Sequence, residues 1–268
     1  MKLTGKRVLV TGASSGIGRE TALLVGRLGA HVLLLARRAE ELATVRDEIE
    51  RAGGRADYYP CDLNDFEQID DVADKIIAEH GGVDVLVNNA GRSIRRSVEL
   101  SLDRFHDYDR SMRLNYFAPL RLTLKLLPGM LERREGKIVN VTSQAVQVNS
   151  PRFSAYTASK SALEAFGRCT NREFGDKGVT VVSVRMPLVR TPMITPSKGA
   201  YRGLPSWSAT RAAKMVLKGI NTGADYVNGP GGTILSLVDV VLPGLQRFGL
   251  RRYYDRYPET APEAKQTS

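Results

Sequence analysis

The apolar run Arg7–Thr11 (RVLVT) ends abruptly at Gly12, and the chain then reads Gly12-Ala13-Ser14-Ser15-Gly16-Ile17-Gly18 before helical spacing begins. Small residues are needed there for three separate reasons. Gly12 permits a tight turn, Gly16 lets the backbone approach a pyrophosphate, and Gly18 lets the following helix pack closely on the strand. The helix start then offers free N–H groups to phosphate oxygens. Glycines alone are often only turn formers. A strand before them and a helix after them make this a dinucleotide-binding loop, with Ser14, Ser15 and Ile17 as further contacts. Three residues separate Gly12 from Gly16 and one separates Gly16 from Gly18, a spacing that departs from the common dinucleotide fingerprint.

The pattern set by this loop repeats. Strands are predicted at His31–Leu35, Ala56–Pro60, Val83–Val87, Lys137–Thr142 and Val179–Val184. Helices are predicted at Gly18–Leu28, Ala39–Ala52 and Phe66–His80. Strands with continuous apolar runs are buried on both faces of a parallel sheet. Repeated strand–helix–strand units therefore predict an α/β fold, a doubly wound parallel sheet (Rossmann fold), in a single domain. With 268 residues, 42% of them hydrophobic, the chain can bury one large core. The domain is expected over residues 1–258, with a C-terminal substrate-binding segment at about 192–258 and a disordered tail over 259–268.

Composition narrows the setting. The net charge of +10 could attract nucleic acid, anionic lipid or an anionic small molecule. The basic residues are scattered as pairs, and no nucleic-acid-binding signature accompanies them, so no nucleic-acid partner is expected. No apolar stretch is long enough to span a membrane, and the chain enters a strand at Arg7 without the apolar run of a signal peptide. Two distant cysteines, Cys61 and Cys169, give no disulfide framework. A cytoplasmic location is expected.

The second strand runs into Ala36-Arg37-Arg38. A carboxylate at Ala36 would accept from a ribose 2′-hydroxyl and repel a 2′-phosphate. Guanidinium groups at Arg37 and Arg38 do the reverse. The cofactor implied is NADP(H), although Arg38 also reads as a solvated helix start. Asp62, followed by Leu63, is placed to accept from an adenine amino group or to cap the next helix. Asn89, Ala90 and Gly91 end the fourth strand. Their small size suits passage of a cofactor, and the asparagines Asn88 and Asn89 suit bracing of the sheet.

Tyr156 and Lys160 are four residues apart, which places them on one helix face. A tyrosine hydroxyl with a reference pKa of about 10 is a poor acid or base near neutrality. A nearby ammonium is expected to lower that value. Ser143 follows the strand Lys137–Thr142, and its hydroxyl could hold a carbonyl oxygen while Tyr156 delivers a proton.

With TGASSGIG, CDL, NNAG, Asn115, Ser143 and YTASK in order, the chain resembles a classical short-chain dehydrogenase/reductase from about Leu3 to Thr195. The resemblance implies that Asn115 bends its helix and holds a water that links Lys160 to solvent. It implies that Lys160 also binds the nicotinamide ribose and that Thr191, next to Val189, contacts the nicotinamide carboxamide. A homo-oligomer is expected on the same ground. Met186-Pro187 stands where the family often has Pro-Gly. That departure, with NNAGRSIRR, DRFHD and PRFSAY, is similar to the bacterial fatty acyl-CoA reductases built on this fold. The implied substrate is lipid-like, a long-chain acyl-CoA reduced to the aldehyde. Alternatives are a ketone or alcohol oxidoreductase acting on a lipid, steroid or β-ketoacyl group, and a non-catalytic cofactor-binding regulator. Arg92, Arg95 and Arg96 could meet CoA phosphates or remain solvated. His106 reads as a packed or surface residue. The apolar stretch Thr233–Leu250, followed by Arg251-Arg252-Tyr253-Tyr254, would serve ordinary packing, a subunit contact or a peripheral membrane contact.

Overall fold

A computed structural model of the chain describes residues 1–201 and 204–256. Seven strands form one parallel sheet in the order β3-β2-β1-β4-β5-β6-β7. They are β1 (Arg7–Thr11), β2 (His31–Ala36), β3 (Arg55–Pro60), β4 (Val85–Asn88), β5 (Gly136–Ser143), β6 (Val179–Met186) and β7 (Tyr226–Asn228). The helices are α1 (Gly16–Arg27), α2 (Ala39–Arg51), α3 (Phe66–His80), α4 (Phe105–Met112), α5 (Ala118–Glu132), α6 (Ala145–Val148), α7 (Ser154–Phe174), α8 (Ala209–Asn221), α9 (Gly232–Val241) and α10 (Pro243–Arg256).

The apolar strands supply both faces of the sheet because alternate side chains point to opposite sides. Val8, Val10, Val32, Leu34, Val85 and Val87 form one buried layer, under α1, α2 and α8. Leu9, Leu33, Leu35, Leu86 and Ile138 form the other, against α3 and α5. Each such side chain contributes about 1.5–3 kcal/mol relative to leaving it in water. The sheet is a single unit with one core on each face, as the doubly wound pattern predicts.

Differences from expectation fall at short elements. β7 is absent from the sequence reading, because three residues, Tyr226–Asn228, show no alternation or apolar run. It pairs in parallel with β6 at Ser183, Val184 and Arg185. The fourth strand begins at Val85, not Val83; Asp84 instead binds Arg7, accepting from its backbone N–H at 2.8 Å and its Nη2 at 2.7 Å. The expected tail, 259–268, lies outside the described residues. Among the described residues no single helix is long and apolar enough to cross a membrane. Together α9 and α10 have the length and composition, but they are bent by 112°.

Candidate active site

The carboxyl ends of the strands open into one cleft of about 790 Å³, inside the range of about 300–1,000 Å³ usual for small-molecule sites. The glycine loop forms one wall. Gly12 and Gly16 have φ of 66° and 56°, a region that costs L side chains strain. A Cβ on Gly18 would sit 2.2 Å from the Gly12 carbonyl oxygen, so α1 reaches the strand only because none is there. The loop is held from behind by β4. Thr11 Oγ1 accepts from the backbone N–H groups of Asn89 and Ala90, each at 3.0 Å, and Asn89 Nδ2 donates to the Thr11 carbonyl at 2.9 Å. Asn88 Nδ2 donates to Asn140 Oδ1 at 3.0 Å. The asparagines therefore brace the sheet.

Arg37 is exposed, lines the cleft and has no hydrogen bond or ion pair among the described residues. Arg38 is engaged: it pairs with Glu41 one turn into α2, and its Nη2 donates to Ser14 Oγ at 3.4 Å. Asp62 and Leu63 line the cleft near them. Asp62 does not cap the next helix. Asp65 does, accepting from Glu67 N and Gln68 N, while Asp62 Oδ1 accepts from Asn64 N at 3.0 Å. The aspartate nearer the helix has the shorter reach to its first free N–H groups.

Opposite the glycine loop, Ser143 ends β5 and Tyr156 lies in the first turn of α7. Both line the cleft, and Ser143 Oγ accepts from the Ala145 backbone N–H at 3.1 Å. Burial pushes the Tyr156 hydroxyl up to about 12, and the nearby Ser143 side chain offsets that only in part. Lys160, also buried, is pushed down to about 8 by desolvation, against the pull of Glu164. Its Nζ donates to the Val141 carbonyl at 2.9 Å. The expected lowering of the tyrosine by the ammonium is absent, because the carbonyl holds the ammonium and desolvation dominates the phenol.

Asn115 is fully buried in a π-helical turn, Arg113–Phe117, between α4 and α5. Its Nδ2 donates to the Arg92 carbonyl and to Ser159 Oγ, both at 2.9 Å, and its Oδ1 accepts from Arg92 N at 2.9 Å. Ser159 in turn donates to the Tyr156 carbonyl at 2.8 Å, so the π turn grips α7 directly between Tyr156 and Lys160. Gly91 passes between them: a Cβ there would lie 3.0 Å from Asn115 Oδ1 and 3.3 Å from Lys160 Nζ.

The third wall is the Met186-Pro187 loop. Met186 O accepts from Gln144 N at 2.9 Å, and Val189 forms an isolated bridge with Trp207. Val189 and Thr191 line the cleft, as do Phe153, Tyr201 and Leu235. Phe153 lies in the PRFSAY segment and Tyr201 and Leu235 in the expected substrate-binding segment, but none was singled out, since a lone aromatic or leucine carries no spacing signal. Of the three arginines after β4, Arg92 is exposed and lines the cleft. Arg96 is drawn away to buried Asp107 at 3.4 Å, and its N–H donates to the Arg152 carbonyl. His106 is exposed beside Asp107.

A family model described as short chain dehydrogenase matches residues 6–201. The chain belongs to the short-chain dehydrogenase family. It is an oxidoreductase of that family, and its cofactor is NADP(H), which the residues present fit: Gly12 and Gly16 line the cleft, and so does Arg37, unpaired among the described residues. A fatty acyl-CoA reductase of Acinetobacter baylyi is 44% identical over 256 residues, covering 96% of this chain and 86% of that one. A fatty acyl-CoA reductase of Mycobacterium tuberculosis is 49% identical over 221 residues, covering 82% and 75%. Among solved structures, an actinorhodin polyketide ketoreductase variant with NADPH has a TM-score of 0.78 at 30% identity, covering 87% of this chain and 97% of that one.

Proposed function

We propose that this short-chain dehydrogenase uses NADPH to reduce a long-chain acyl-CoA thioester to the aldehyde, with release of free CoA thiol. The observation that carries this reading is a single cleft that holds both the Ser143–Tyr156 hydroxyl pair and an apolar wall of Val148, Phe153, Met193, Ile194 and Leu235. Two relatives named fatty acyl-CoA reductase support the substrate class.

Bound NADPH supplies a hydride to the carbonyl carbon. Gly12, Ser14, Ser15, Gly16, Ile17 and Gly18 receive the cofactor phosphates. Arg37, with Arg38 behind it, holds the 2′-phosphate and sets the preference for NADPH. Asp62 and Leu63 border the adenine. Asn89, Ala90, Gly91, Val189 and Thr191 line the path toward the nicotinamide. Ser143 donates to the carbonyl oxygen and aligns it. Tyr156, protonated across the neutral range, gives its proton to that oxygen as charge develops there. Lys160 returns a proton toward Tyr156, with Asn115 holding the helix that carries both. The resulting hemithioacetal gives up its hydroxyl proton as its C–S bond breaks, and the departing thiolate takes up one proton, leaving the aldehyde and free CoA thiol.

The finer setting rests on the same reading. Both cysteines are unpaired, which fits a reducing, cytoplasmic location. The expectation of ordinary packing for the C-terminal stretch fails for Ile234, Leu237, Val240 and Phe248, all more than half exposed. Leu235, on α9 with three of them, lines the cleft, and Arg247, Arg251 and Arg252 lie on α10 with Phe248, so this C-terminal segment joins exposed apolar residues to basic ones. It rests on an anionic lipid surface from which an acyl substrate enters.

A ketone-reducing activity is the second reading, favoured by the likeness to the polyketide ketoreductase. A panel of acyl-CoA, aldehyde and ketone substrates, each with NADPH, separates the two. Thioester reduction consumes NADPH and yields thiol together. Consumption with ketones alone and no thiol contradicts the proposal.

A further inference from the structure

Two of the chain's three histidines meet far from the cleft. His31 opens β2, Asp57 lies on the neighbouring β3, and His80 ends α3. In a parallel sheet all strands start at one edge, so this cluster sits at the edge opposite the cofactor loop. The strand from His31 to Ala36 alone spans about 17 Å at roughly 3.3 Å per residue.

One ligand atom each from His31, Asp57 and His80 lie within 4.8 Å of one another. His31 Nε2 is 2.6 Å from Asp57 Oδ2, and His80 Nε2 is 3.9 Å from the same oxygen. Glu79 Oε2 lies 3.8 Å from His80 Nε2. The two imidazoles are only 10% exposed, whereas the carboxylates of Asp57 and Glu79 are 47% and 45% exposed. Fixed nitrogen donors thus sit inside, and movable oxygen donors sit at the rim. A second cavity, of about 510 Å³, is lined by His31, Glu79 and His80 and gives access from solvent. Tyr59 donates to Glu79 Oε2 at 2.6 Å and also contacts His80 Nε2 at 2.6 Å, a contact that a metal ion on that nitrogen would replace.

We propose that His31, Asp57 and His80 form a zinc site, with the fourth position left to solvent. Two imidazoles with a carboxylate suit zinc, whereas magnesium and calcium prefer an all-oxygen set. Tetrahedral zinc with bonds of about 2.0–2.2 Å spaces its ligand atoms about 3.3 Å apart. The separations of 2.6 and 3.9 Å bracket that value. In this structure a proton bridges His31 and Asp57. Zinc binding releases it, and Asp57 swings outward by less than about 1 Å. Arg55 beside His31 adds positive charge, and the two carboxylates offset it; Arg7 is already committed to Asp84. The ion would tie β2, β3 and α3 together at the edge remote from catalysis. Its role is structural and independent of the substrate reading.

The test uses the full, tag-free chain after dialysis against a chelator. Zinc sulfate is added, bound metal is counted by mass spectrometry, and thermal unfolding is followed. About one tightly held zinc per chain is expected, with a melting temperature raised by about 5–10 °C when free zinc is 100-fold above Kd. Magnesium chloride should leave it unchanged. Asp57→Asn, an isosteric change at a half-exposed position, should weaken zinc binding at least tenfold while NADPH oxidation is retained. His31→Ala with His80→Ala should abolish it. Substoichiometric metal at micromolar free zinc overturns the proposal. So does zinc stabilisation that survives in the double histidine variant, which would place the ion elsewhere.

Discussion

Arg37 and Arg38 are adjacent in sequence and differ in what they can do. Arg38 is spent on Glu41 and Ser14, and Arg37 lines the cleft without a partner among the described residues. Charge-assisted hydrogen bonds are worth about 1.5–3 kcal/mol each. Arg37→Ala should therefore raise KM for NADPH by about 10–100-fold and leave KM for NADH nearly unchanged. An unchanged ratio of the two would remove Arg37 from the 2′-phosphate. Lys160 carries a second residue-scale consequence. Its ammonium is pushed from 10.5 down to about 8, so the free enzyme loses that charge as pH rises through about 8. The value of kcat/KM for NADPH, which reports the free enzyme, should fall with a midpoint near there. Lys160→Arg should erase the descending limb while lowering the rate. In stability the same group acts oppositely. The buried charge is a cost below pH about 8 and is relieved between about 8 and 10.5, so this group makes stability rise with pH across that window. Single residues were legible where chemistry dictates type: Ser143, Tyr156, Lys160 and Arg37 all line the cleft. The protonation of Tyr156 was not legible, since it depends on enclosure and on which group takes the lysine proton, and both are tertiary facts.

At the scale of elements, α7 is the piece that positions the chemistry. One turn beyond Lys160, buried Glu164 accepts from Thr142 Oγ1 at 2.8 Å and from Arg185 Nη2 at 2.7 Å. Arg185 lies over the Tyr226 ring at 3.9 Å. The helix is thereby fixed to β5, β6 and β7 together. Removing one partner strands a buried charge, which costs about 3–5 kcal/mol. Arg185→Met should lower the unfolding free energy by that much in a urea titration; a loss below about 1 kcal/mol would make the pair dispensable. The long strands and the glycine loop were readable because burial on both faces writes apolar runs and Gly18 admits no Cβ. The Glu164–Arg185 pair and β7 were not. Their partners lie 21 residues apart on α7 and β6 in one case. In the other, three residues are too few to show a period.

For the whole molecule, the sheet divides labour between its two edges: the carboxyl edge holds the cleft, and the amino edge gathers two of the three histidines, His31 and His80. One residue of α9, Leu235, lines the cleft, and α9 and α10 together carry exposed apolar side chains and, on α10, basic residues. Flotation with anionic vesicles should carry the wild-type chain. Leu237→Asp with Phe248→Asp should leave it behind while acyl-CoA turnover in detergent persists. If the paired change instead converts a dimer to a monomer in light scattering without altering flotation, the face belongs to a second copy. The cleft has one feature on which the proposed chemistry depends, a Tyr156 hydroxyl that burial keeps protonated, with Ser143 in the same cleft. Tyr156→Phe, measured by NADPH binding and by single-turnover oxidation of bound NADPH with acyl-CoA, tests it most directly. Binding should be retained and hydride transfer slowed by about 10²–10⁴-fold. A Tyr156→Phe enzyme that binds NADPH and turns over near the wild-type rate would contradict it.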